Sequence, residues 1–274
     1  MQRHTSLLFF ILGLCIINTS CAPDTSSQIL TQSTQWIEPV ATPESLQLPT
    51  SEGEMAEGKI WKPRTNPYKA GIVFVSGVDG GFVEPVNGIY ERIATELSHT
   101  GVTSIFVQYR KPGELEPSIQ DALAAIDHLK SLGVQRVALV GWSFGGAVIT
   151  HSATRAPEVA TVVGFAPQSR DTEAVQQFTK QSILLVHSDE DENVPFEASQ
   201  QILDEAPTGI EKQLVDLKGF NHILDGAQGQ VDPIVLDWLN KKLGIPVQAS
   251  RTLNVLNATV IPHKDRLGLI LRKH

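Results

Sequence analysis

The chain has 274 residues, 41% hydrophobic and 19% charged, so it can bury a sizeable core and is not compositionally disordered. Thirty acidic against 22 basic residues leave a net charge of -8, which argues against phosphate-backbone binding and hence against a nucleic-acid partner. Its two cysteines, Cys15 and Cys21, both lie near the start, so neither a disulfide framework nor a cysteine-rich metal site is available to the body.

In chain order, residues 1–21 hold Arg3 and His4, an unbroken apolar run from Leu7 to Ile17, and then small polar residues. The run is short for a bilayer and predicts a signal peptide for export. Asn18-Thr19-Ser20-Cys21 resembles a bacterial lipoprotein box, with Asn18 where an apolar residue is usual. That resemblance implies lipidation of Cys21 and membrane anchoring without a span; plain secretion to the periplasm or medium is the alternative. Residues 22–58 are rich in Ser, Thr, Gln, Glu and Pro and read as a flexible tether, with a short edge strand possible over Thr34–Val40.

Residues 59–244 alternate apolar runs of strand length with amphipathic stretches. The predicted strands are Gly71–Val75, Val102–Gln108, Val137–Val140, Thr161–Phe165, Ser182–His187 and Lys212–Leu217. Between them the helical spacing predicts helices over Ile89–His99, Ser118–Leu132, Phe144–Thr154, Glu197–Glu205 and Asp232–Leu243. Apolar strands alternating with helices predict an α/β fold: a doubly wound, mostly parallel sheet covered on both faces. The remaining residues, 245–274, form a basic C-terminal arm whose Thr252–Ile261 segment alternates like a strand or docked arm.

Gly141-Trp142-Ser143-Phe144-Gly145 is a Gly-x-Ser-x-Gly motif between a predicted strand and a predicted helix, the context of a nucleophile elbow. A serine hydroxyl is a weak nucleophile near neutral pH, so Ser143 needs a base and an orienting acid. After the strand Ser182–His187 come four acids, Asp189, Glu190, Asp191 and Glu192; after Lys212–Leu217 comes His222. His222 is the natural base, and His187 is its rival because it ends a strand beside the acid loop. Phe144, following the nucleophile, offers one backbone N–H for an oxyanion.

Taken together, Gly141–Gly146, Ser188-x-x-Asp191-x-x-Val194-Pro195 and Gly219-x-x-His222 resemble the α/β-hydrolase superfamily, and most of all its dienelactone-hydrolase-like serine esterase branch. The resemblance implies an α/β-hydrolase fold and a Ser143, Asp191, His222 triad, with Asp189 as fallback acid and Ser188 where glycine is usual. It further implies that the loop Ser76–Phe82 supplies the second oxyanion donor, Val78 in that register or else Asp79. Dienelactone hydrolases use a cysteine nucleophile, so the serine argues against dienelactone as substrate.

About sixteen residues separate Phe165 from Ser182, too few for a large lid, which predicts an open pocket walled by Phe82, Trp142, Phe144 and Phe220. The expected function is a serine hydrolase acting on a small-molecule carboxylic ester or thioester, needing no metal or organic cofactor. Its alternatives are a serine peptidase or acyltransferase on the same triad, and a noncatalytic hydrolase-like surface binding protein.

Overall fold

A computed structural model describes residues 42–63, 67–246 and 259–262, the last four as backbone alone. The signal, the lipidation candidate Cys21 and the possible strand at Thr34–Val40 lie outside the described residues, as does most of the basic arm.

The chain runs β1 (Glu44–Pro49), β2 (Met55–Trp61), β3 (Ala70–Val75), α1 (Ile89–Ser98), β4 (Thr103–Gln108), α2 (Leu115–Ser131), β5 (Arg136–Trp142) and α3 (Gly145–Arg155). Then follow β6 (Val159–Phe165), a 3-10 turn (Glu173–Gln177), β7 (Ser182–Ser188), α4 (Glu197–Glu205), β8 (Lys212–Leu217), α5 (Gln228–Leu243) and β9 (Thr259–Pro262). All nine strands join one sheet in the order β1-β2-β4-β3-β5-β6-β7-β8-β9. Strands β4, β3, β5, β6, β7 and β8 run parallel; β2 and β9 run against them at the two sides, and β1 pairs antiparallel with β2 at the outer edge. The expected doubly wound α/β sheet is present, and no large lid stands between β6 and β7.

Side-chain alternation along each strand divides the core into two layers. Val73 and Val75 of β3, with Val137 and Leu139 of β5, pack under α2, α3 and α4. Ile72 and Phe74, with Ala138 and Val140, face α1 and α5 on the other side. Both faces are dry, which is why these strands read as unbroken apolar runs.

The tether assignment for 22–58 is corrected at its C-terminal end. Residues 44–61 form a β1–β2 hairpin whose turn is closed by Thr50 N–H to Glu54 C=O at 2.9 Å and by Gly53, at φ 81°. Leu48 and Ala56 on its inner face are fully buried, so the segment is an edge of the sheet rather than a solvated linker. At the far edge, the strand suggested for the arm is described only as Thr259–Pro262, paired antiparallel with β8.

Candidate active site

From β3 the chain crosses to β4 on one side and then returns past β3 to β5 on the other. The gap beyond the C-terminal ends of β3 and β5 is therefore the switch point where open α/β sheets take ligands. Ser76 follows β3 there, and Ser143 follows β5. Ser143 has φ 54°, a left-handed conformation uncommon for a residue with a side chain. Its N–H donates to Phe165 C=O at 2.9 Å, and its own C=O accepts from Gly146 N–H at 2.9 Å. The motif glycines are space requirements: a Cβ at Gly141 would lie 2.5 Å from Gly145 O, one at Gly145 2.6 Å from Ser76 O, and one at Gly146 2.6 Å from Pro167 Cβ.

Of the four acids after β7, Asp191 is the one whose carboxylate reaches the His222 ring. Its Oδ2 accepts from His222 Nδ1 at 2.7 Å, and its Oδ1 from the N–H groups of Asn193 and Val194, each at 2.8 Å. The side chain is fully buried. Burial pushes the Asp191 carboxyl up, but hydrogen bonds from His187, His222 and the two amides outweigh it and hold the group well below the usual carboxylate range. Asp189, the fallback, accepts Gly219 N–H at 3.0 Å and pairs with Lys218.

The acid loop also grips the base loop in ways the sequence did not announce. Besides the bond to Asp189, Phe220 N–H donates to Ser188 Oγ at 2.9 Å and His222 N–H donates to Glu192 Oε2 at 3.0 Å. Polar side chains in loops are generic, so no motif could have flagged these three. His222 is nearly buried; its ring lies 5.3 Å from Trp142, whose Nε1–H donates to His222 C=O at 3.1 Å. With Nδ1–H turned to the carboxylate, Nε2 is the basic nitrogen. Among the described residues no hydrogen bond joins Ser143 Oγ to His222; such contacts are often long without substrate and tighten around it. His187, the rival base, is fully buried on the other side of Asp191, at 3.1 Å from the same Oδ2.

Two buried tyrosines anchor the start of the loop after β3: Tyr90 Oη–H donates to Val75 C=O at 3.1 Å and Tyr109 Oη–H to Ser76 C=O at 2.9 Å. Ser76 Oγ bonds Gly80 C=O and Val83 C=O, and Gly77 lies so close to Trp142 that a Cβ would be 2.9 Å from its ring. The loop thus abuts the elbow. Among the described residues no protein acceptor takes the N–H of Val78, Asp79 or Phe144, so these donors remain free for a ligand.

The expected aromatic walls fare unevenly. Trp142 borders the site through its contacts with His222 and Gly77. Phe220, half-buried, packs on the layer under α1 and α5. Phe82 stacks edge-on against Phe106 at 5.2 Å, with Lys59 Nζ 4.3 Å from its centroid, so it covers β4 and β2, away from the elbow strand. The Phe144 side chain is buried edge-on against Tyr109 at 5.9 Å and is core rather than wall. The exposed apolar groups following β3 are instead Val78 and Val83, 50% and 47% accessible. Arg110 is held by Asp121, Glu52 and Glu54 and is not poised for an anionic substrate.

A family model described as "Dienelactone hydrolase family" matches residues 70–222. The protein described as "Putative carboxymethylenebutenolidase" from Saccharolobus solfataricus is 31% identical over 104 residues, 37% of this chain and 40% of the relative. The match therefore spans about two fifths of that curated relative. Among solved structures, Est1E from Butyrivibrio proteoclasticus superimposes with TM-score 0.62 at 17% identity, over 73% of this chain and 99% of that one. An esterase domain from a Rhodothermus marinus protein gives 0.61 at 16%, over 74% and 99%. An acylaminoacyl peptidase gives 0.58 at 15%, over 76% of this chain but 42% of the peptidase. These structural likenesses establish the α/β-hydrolase fold.

Proposed function

Since the chain belongs to the dienelactone hydrolase family, we propose that it is a serine hydrolase that cleaves a small carboxylic ester or thioester through an acyl-enzyme. The observation that carries this is the buried Asp191 carboxylate bonded to His222 Nδ1 at 2.7 Å, beside an elbow serine held at positive φ. Ser143 Oγ attacks the carbonyl carbon while His222 Nε2 takes its proton. The imidazolium so formed is supported by Asp191, and the tetrahedral oxyanion by the Phe144 and Val78 amides. Collapse breaks the bond to the leaving group, which receives the proton from His222. A water deprotonated by His222 then attacks the acyl carbon, and Ser143 leaves with the proton restored.

An ester is favoured by the open site, which has only a short 3-10 turn between β6 and β7, and by the company of esterases in this fold. Est1E has been solved with ferulic acid bound, and an ester of similar modest size suits the exposed Val78 and Val83. Export and lipidation at Cys21 are part of the same proposal, resting on the apolar run Leu7–Ile17 and the residues before Cys21. Among the described residues, no helix is long and apolar enough to cross a membrane.

The test is covalent labelling by a fluorophosphonate, followed by turnover of p-nitrophenyl esters of increasing chain length. Labelling that is lost in Ser143→Ala, with ester turnover by the parent, is the expected result. No labelling of the folded parent, or cleavage of peptides with no ester turnover, overturns it.

A further inference from the structure

Asp191 Oδ2 carries two imidazoles rather than one. His222 Nδ1 lies 2.7 Å away and His187 Nε2 3.1 Å away. His187 has no route to a substrate: it is fully buried at the end of β7, with its ring 5.8 Å from Phe196. Its acceptors place one ring proton. Nε2 faces two acceptors, Asp191 Oδ2 and Val194 C=O at 3.0 Å, so this nitrogen must carry the proton. Nδ1 faces the hydroxyl of Ser199 at 2.8 Å, on α4. A hydroxyl can donate or accept, so Ser199 holds this nitrogen in place whether or not it carries a proton.

We propose that His187 is a positioning residue of this hydrolase: with its Nε2–H aimed at Asp191 and its Nδ1 paired with Ser199, it is the second donor to the carboxylate oxygen that orients His222. The inference rests on the reading of Asp191 and His222 as acid and base. A carboxylate with one donor on Oδ2 can swing about its Cβ–Cγ bond and present a different lone pair to the base. Two amides on Oδ1 and two imidazoles on Oδ2 leave it a single orientation, fixed before substrate arrives. Because His187 is tied to Val194 C=O and to α4, it also anchors the acid loop to the rigid body of the fold.

Two experiments on the full chain test this. Nitrogen-15 NMR of histidine-labelled protein at pH 7.5, with the His187 signals assigned by their loss in His187→Gln, should show a proton on Nε2. A ring protonated on Nδ1 alone overturns the proposal, whether or not the protein is a hydrolase. For turnover of a p-nitrophenyl ester, active sites are counted by fluorophosphonate labelling, so that misfolded protein is not scored. His187→Leu should lower kcat about 10- to 100-fold, the size of one hydrogen bond to a charged group, with KM within about threefold. His187→Gln, whose amide N–H reaches the same depth, should recover most of that loss. Parent-like kcat in His187→Leu, equal losses in both variants, or a loss confined to KM overturns the positioning role. Failure of the parent to label at Ser143 would instead sink the hydrolase reading, and the NMR result would still decide the tautomer.

Discussion

Replacing Gly145 by alanine tests whether the loop after β3 supplies an oxyanion donor. The new Cβ would lie 2.6 Å from Ser76 O, 3.2 Å from Val75 Cγ2 and 3.3 Å from Val75 O. Ordinary contact begins at about 3.4 Å, so Ser76 must retreat by roughly 0.8 Å from the elbow. It is not free to absorb this locally, because its carbonyl is held by Tyr109 and its hydroxyl by Gly80 and Val83. The loop must move as a piece and take the Val78 N–H with it. A donor about 0.8 Å beyond hydrogen-bond distance is effectively lost, and losing one oxyanion donor costs about 10²- to 10³-fold in kcat. Overpacking adds about 1–3 kcal/mol of destabilisation, or about 2–12 °C in Tm for a domain of this size. Stopped-flow acylation by a p-nitrophenyl ester, with Tm measured on the same sample, separates the two effects. Acylation within about threefold of the parent would refute the assignment of this loop to the oxyanion.

Two further outcomes follow from buried charge. Asp191 titrates well below the usual range, so its share of stability is present above its unfolded pKa of about 3.9 and is lost as pH falls below that value. Urea unfolding between pH 4 and pH 2 should therefore show the parent losing up to about 1.4 kcal/mol per pH unit more steeply than Asp191→Asn, and parallel slopes would contradict this. Glu84 and Asp121, whose carboxyls burial holds above the usual range, contribute the opposite sign in both proteins and cancel in the comparison. Arg110→Leu strands the fully buried Asp121 carboxylate and should cost about 3 kcal/mol, the low end for a broken buried pair, since protonation of Asp121 limits the penalty. Calorimetry should show a Tm lower by about 6–12 °C with ester kcat per labelled site unchanged; an unchanged Tm would show that the pair is dispensable.

The parallel strands were legible because both their faces are dry and each becomes a continuous apolar run. The elbow was legible because its glycines are steric necessities. The β1–β2 hairpin was not: it buries one face only, through residues as modest as Leu46, Leu48 and Ala56, amid Glu, Ser and Gly that read as linker. Phe82 and Phe144 were read as pocket walls because apolar residues beside a motif look the same in sequence whichever way they turn. His187 was visible only as a rival to His222. Its place behind Asp191 depends on α4 bringing Ser199 against β7, a contact no spacing encodes. The grip of Ser188, Asp189 and Glu192 on the base loop likewise needs β7 and β8 to be neighbours.

Trp142 stands between two loops that must cooperate. Its ring lies under Gly77 at one end and beside His222 at the other, and its N–H is spent on the His222 carbonyl. One rigid indole therefore acts as a spacer between the loop after β3 and the loop that carries His222. A separation held by a spacer does not wait for a ligand, so on the proposed reading an acyl group meets two loops already set apart rather than loops that close around it. On that reading, the exposed Val78 and Val83 are the side chains whose replacement leaves the Trp142 spacer untouched.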